Sequence, residues 1–126
     1  NKGEIIREYD IALGKNPVGH KVHEGDGRTP EGRYVLDWRN PKSKFHRSIH
    51  ISYPNDTDER WASHRKKPAG DFIMIHGSPS WVPSSEWAAE WLQKEDWTDG
   101  CIAVTNDQMD EIWHLVADGT PIEIWP

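Results

Sequence analysis

The chain has a single thiol, Cys101. One cysteine closes no internal disulfide and builds no cysteine-rich zinc site, so packing has to hold the fold. No apolar run approaches the roughly 18 residues of a membrane-spanning helix, and none is expected. Basic residues are in deficit: 15 Lys and Arg stand against 21 Asp and Glu, for a formal net charge of −6. The basic residues are also scattered, which argues against nucleic acid as a partner. There is no internal repeat, low-complexity tract or linker. A length of 126 residues fits one domain, 1–126, around one core. The chain begins at Asn1 without a signal-like segment, a start that leaves the compartment open.

Short apolar alternations dominate the first half. In "EIIREYDIAL", Ile5, Tyr9, Ile11 and Leu13 recur at period two, which predicts a strand. "GHKVHEGDGRTPEG" is too rich in Gly, Asp and Pro for regular structure and reads as a long ordered loop. "RYVLDW" alternates through Tyr34, Leu36 and Trp38. "HRSIHISY" places Ile49, Ile51 and Tyr53 on one face and Ser48, His50 and Ser52 on the other. "DFIMIHG" is a fourth strand, ending at His76 and Gly77. The abrupt "NKGEIIREY" start, with Lys2-Gly3 resembling a hairpin turn, predicts a preceding strand absent from this chain.

The pattern then changes to helical spacing. "PSSEWAAEWLQKE" offers Ser84 as an N-cap and a stripe of Trp87, Ala88, Trp91 and Leu92. In "TNDQMDEIWHLVADG", Thr105 and Gln108 form a capping box, and Met109, Ile112, Trp113 and Val116 form the apolar face. Gly119 suits the C-terminal cap, and "PIEIW" is a last short strand. Strands first and helices late indicate a mainly β, antiparallel sandwich or barrel-like fold with one or two covering helices. Eight tryptophans are core filler or the lining of a cleft.

Cys101 follows Gly100 and precedes an apolar run. Thiol catalysis needs a thiolate, a base and donors for an oxyanion. Gly100 lets backbone approach a substrate closely, and the N–H groups of Gly100 and Cys101 are candidate oxyanion donors. Of seven histidines, His76 is the first candidate base, because it ends an apolar strand. His50 is the second. His46 and His50 share a face and could pair on a metal, but no third ligand is signalled. His20 and His23 lie in the long loop within reach of a substrate, and His64 and His114 read as helix-surface residues.

These residues also resemble a known family. "IHG", a variable stretch, then "TDGC" and "VTN" is similar to the L,D-transpeptidase catalytic domain, the YkuD fold. His76 and Gly77 match its His-Gly, and Thr98, Gly100, Cys101 and Asn106 match its Ser/Thr-His-Gly-Cys and downstream Asn. Thr29, Pro30 and Gly32 match the Thr-Pro-x-Gly before a strand. "IALG", Gly19 and Lys21 extend the match upstream. Three features depart: Asp99 replaces the family's second histidine, Ala103 replaces its usual arginine, and the stretch between His76 and Cys101 is longer than usual. They resemble a divergent branch reading "WTDGC", some of whose members are thought to hydrolyse wall linkages.

The resemblance implies a catalytic group of Cys101 as nucleophile and His76 as base, with Gly100, Asp99 and Gly77 around them. It implies contacts to peptidoglycan stem peptides from Thr98, His50, Tyr53, Lys21, Trp97 and Asn106. It calls for no cofactor or metal and for no membrane insertion, and it implies a periplasmic or secreted location. Asp99 is expected either to contribute only backbone, its side chain pointing away, or to orient His76. The reactions in competition are cross-linking, carboxypeptidase trimming and cleavage of a wall linkage. A peptidoglycan-binding module that has lost catalysis is the rival from another class.

Overall fold

The computed structural model describes residues 4–79 and 96–126. At its centre is a curled five-stranded sheet. Its strands are β1 (Gly32–Ser43), β2 (His46–Ile51), β3 (Met74–His76), β4 (Ile102–Ala103) and β5 (Thr120–Ile124), in spatial order β4-β3-β2-β1-β5. Two helices accompany it among the described residues, α1 (Asp56–His64) and α2 (Asn106–Leu115). The mainly β fold with covering helices is therefore as expected. The sheet is mixed, however: β1–β2, β1–β5 and β2–β3 are antiparallel, while β3 and β4 run parallel. A parallel neighbour needs a long crossover, not a hairpin, and the chain from 77 to 101 supplies its length. The expected helix at 83–95, the Lys2-Gly3 turn and the cleft residues Trp81, Trp87 and Trp91 lie outside the described residues.

Register sorts the residues onto two faces. Ile49 pairs with Ile75, and Ile75 with Ile102. Residues paired across strands point to the same side, so this row, with Ile51, Leu36 and Tyr34, forms the core face. Met109 of α2 and Ala62 of α1 complete the same cluster. Ser48, His50, Met74 and His76 alternate onto the other face.

The capped helix forms as its sequence directs. Thr105 accepts from the Gln108 N–H at 3.2 Å and Gln108 returns the bond at 3.1 Å. It ends earlier than expected, with Val116 as its cap. Gly119, with a φ of 93°, instead donates its N–H to the Leu36 carbonyl and starts the turn into β5. Helix α1 was foreshadowed only by His64 as a helix-surface residue; Asn55 and Asp58 form a second capping box at its start.

Two expected strands are corrected. Residues 4–11 form no strand. Ile5, Ile6 and Ile11 are exposed, and it is Ala12 that is fully buried, bridging Ala103 with both backbone bonds. Arg7 and Tyr9 bind Glu111 of α2 instead, so polar anchoring overrides the apolar alternation. "DFIMIHG" is strand only at Met74–His76, because the Phe72 N–H turns back to Asp71 Oδ1 at 2.6 Å and Phe72 adopts a φ of 58°.

Candidate active site

Parallel pairing of Ile75 with Ile102 sets Cys101 alongside Met74. Alternation gives Cys101 the face that also carries Met74 and His76, so thiol and imidazole are diagonal neighbours on adjacent strands. The sulfur sits on backbone: the Met74 N–H donates to Sγ at 3.3 Å, and Sγ donates to the Phe72 carbonyl at 3.4 Å. Cys101 is partly exposed. Burial pushes its thiol above the ordinary 9.0; the Met74 N–H opposes this, the Asp99 charge adds to it, and the Lys21 charge opposes it.

His76 is 3% exposed. Its ring lies 4.4 Å from that of Phe45 and 5.6 Å from that of Trp97, centroid to centroid. Nδ1 is 2.8 Å from the Gly77 carbonyl. A carbonyl only accepts, so Nδ1 carries the hydrogen and Nε2 keeps a lone pair. Burial pulls the ring below 6.5, only partly offset by that carbonyl. Both shifts favour a resting pair of neutral thiol and neutral imidazole, with Nε2 the nitrogen fit to take a proton.

The loops before each residue depend on close approach. A Cβ on Gly77 would meet Asn106 Oδ1 at 2.4 Å, and that oxygen accepts the Ser78 N–H at 2.8 Å. Asn106 thus pins the turn after His76. Gly100 has a φ of 137°, and a Cβ there would lie 2.7 Å from the Arg28 carbonyl and 3.4 Å from Lys21 Nζ. Its N–H donates to Thr98 Oγ1 at 3.1 Å, while Thr98 Oγ1 donates to the Cys101 carbonyl at 2.7 Å. The oxyanion donor expected at Gly100 is therefore engaged, which leaves the Cys101 N–H as the candidate.

Several residues expected at the substrate are engaged within the fold. Tyr53 is 1% exposed and donates to the Ala69 carbonyl at 3.0 Å; its period-two placement put it in the core. Thr98 is 4% exposed and braces the Cys101 turn. Lys21 is 3% exposed and paired with Asp26 at 3.0 Å beneath Gly100. His50 is clamped between Asp37 Oδ1 at 2.6 Å and Asp71 Oδ1 at 2.8 Å, with Trp38 stacked on it. Trp97 packs its edge on His76. Asp99 points outward to Lys15 at 3.0 Å. His46 pairs with Asp110 at 2.7 Å, and the described residues hold no group of three possible metal ligands.

Sequence reasoning missed Asp26. Burial opposes its ionisation, but the N–H groups of Val22, Arg28 and His23 and the Lys21 ammonium outweigh that and hold its carboxyl down to about 2. Its position between Gly25 and Gly27 was the available signal, since Asp in a glycine-flanked turn binds nearby backbone.

Comparison with known proteins converges on one group. The family model described as L,D-transpeptidase catalytic domain, YkuD, matches residues 1–124. YafK of Escherichia coli (strain K12), whose name provisionally makes it an L,D-transpeptidase, is 29% identical over 90% of this chain and 38% of its own length. The K307A mutant of Pgp2, a helical cell shape determining protein from Campylobacter jejuni, superposes with a TM-score of 0.64 at 29% identity, over 88% of this chain and 34% of Pgp2. An L,D-transpeptidase from Mycobacterium smegmatis shares the fold at TM-score 0.59 and 14% identity, over 98% of this chain and 51% of that one. The chain thus spans little more than a third of YafK and of Pgp2.

Proposed function

Since the chain belongs to the YkuD family of L,D-transpeptidase catalytic domains, we propose that it performs cysteine-dependent acyl transfer on peptidoglycan stem peptides. Sγ of Cys101 attacks the carbonyl of the third stem residue as His76 Nε2 takes the thiol proton. The Cys101 N–H faces the oxygen that becomes negative. The C–N bond to the terminal D-alanine breaks, His76 returns its proton to the leaving amine, and a thioester remains. An amine of a second stem then restores the thiol and forms a cross-link.

The observation that carries this reading is the shared sheet face of Cys101 and His76, with Gly77 fixing the imidazole tautomer. A neutral resting pair fits it: proton transfer accompanies attack and no standing thiolate is required. Such a substrate places the activity in the cell wall, in a periplasmic or secreted protein. Water as acceptor makes the same machinery a carboxypeptidase or endopeptidase. The exposed Asp99 and the small Ala103 favour that second reading, since neither offers a cation to an incoming stem near the thiol.

Mass spectrometry of muropeptides after incubation with the protein separates the outcomes. New dimers identify cross-linking, new tripeptides trimming, and lost dimers cleavage, each abolished in Cys101→Ala. An unchanged muropeptide profile, together with a Cys101 inert to iodoacetamide, identifies a binding module and overturns the proposal.

A further inference from the structure

Behind the Gly100 turn lies a pocket of about 520 Å³ whose charge is opposite to that of the chain as a whole. Arg28, Arg65 and Lys67 line it, together with Asn16, His23 and Asp26. Asp26 is its single carboxylate, and both of its oxygens are already engaged. Oδ1 takes Lys21 Nζ and the Arg28 N–H, and Oδ2 takes the N–H groups of Val22 and His23. Among the described residues no carboxylate lies within ion-pair distance of Arg28, Arg65 or Lys67. Arg65 rests over the Trp61 ring at 5.3 Å. Three unpaired cations thus gather in a protein whose net charge is −6.

A second observation concerns the Arg28 side chain. Arg28 Nε is buried and, among the described residues, has no hydrogen-bond partner. A buried guanidinium N–H without an acceptor is costly, and native structures seldom leave one so. The pocket also shares Arg28 with the turn that precedes Cys101. The Arg28 carbonyl fills the space that a Cβ on Gly100 would need, at 2.7 Å, so one residue walls both the pocket and the Cys101 turn.

We propose that this pocket receives a free carboxylate of the stem peptide whose acyl group goes to Cys101, an assignment that rests on the function proposed above. Planar guanidinium groups pair with carboxylates through two parallel N–H bonds, and a peptide held there remains next to the nucleophile turn. The pocket then selects acidic over amidated stems.

The test is binding to the Cys101→Ala protein, which reads the pocket without turnover. A stem tetrapeptide with free carboxylates, its fully amidated counterpart and inorganic phosphate are compared at equal ionic strength by titration calorimetry. The free acid is expected to bind about tenfold more tightly than the amide, and Arg28→Gln is expected to erase the preference. If that variant does not fold, Lys67→Gln, at an exposed position, is expected to narrow the preference severalfold. Equal affinity for acid and amide, or phosphate displacing the peptide at equal concentration, overturns the assignment. Wild-type turnover separates the two proposals. Retained acid preference without turnover defeats the enzymatic reading alone; equal turnover of acid and amide defeats the pocket alone.

Discussion

His76 and His50 stand on neighbouring strands, on the same face of the sheet, both nearly sealed from solvent, and they are fitted for different work. His76 gives one nitrogen to a backbone carbonyl and is otherwise surrounded by Phe45 and Trp97. His50 gives both nitrogens to carboxylates and lies flat against Trp38. A base needs a lone pair with nothing attached to it, and an imidazole with a carboxylate at each end has none. Burial alone therefore does not mark a histidine fit to act as a base; the count of partners does.

The sharpest way to break this contrast is by activity. Cys101→Ala is expected to abolish stem-peptide turnover, and His76→Gln to lower kcat by about 10²–10⁴, while His50→Gln costs only a few-fold. Equal losses at the two histidines would dissolve the distinction. Stability is expected to invert the order. His50→Gln removes the ring that bridges Asp37 and Asp71 and exposes the Trp38 face, a loss of about 1–3 kcal/mol in urea denaturation, larger than that of His76→Gln.

Acid provides a third handle. The folded value of His76 lies below 6.5, so as pH falls through 6.5 the unfolded chain takes up a proton that the folded chain refuses. The stability attached to this group is complete above pH 6.5 and is lost below it. The melting temperature is expected to fall between pH 7 and pH 5, and His76→Gln to flatten that slope. Cys101 moves the other way: with its thiol raised above 9.0, iodoacetamide labelling should still be climbing at pH 9. The smallest expected effect is that of Asp99→Asn. Its ion pair with Lys15 is exposed, so stability should change by less than about 0.5 kcal/mol and labelling of Cys101 should become slightly faster.

Much of the frame was legible in the residues. Period two placed Ile49 and Ile51 in the core, and the Thr105–Gln108 capping box located the start of α2 to the residue. The juxtaposition of Cys101 and His76 came from a motif; no periodicity implies that β3 and β4 run parallel. Partner choice was not legible. The resemblance offered Lys21, Tyr53 and His50 to a substrate, and each is also bound by a partner that the fold brings near. Residues 4–11 misled for the same reason, since Glu111 of α2 decides their path.

The sulfur of Cys101 is cradled by main chain alone, between the amide of residue 74 and the carbonyl of residue 72. Its seat is consequently indifferent to the side chains at those two positions, which are free to drift as targets change. Proline at 74 is the one replacement that deletes the amide outright. In the proposed reaction, attack geometry and recognition are thereby uncoupled: the first belongs to the shape of a strand edge, the second to whatever decorates it.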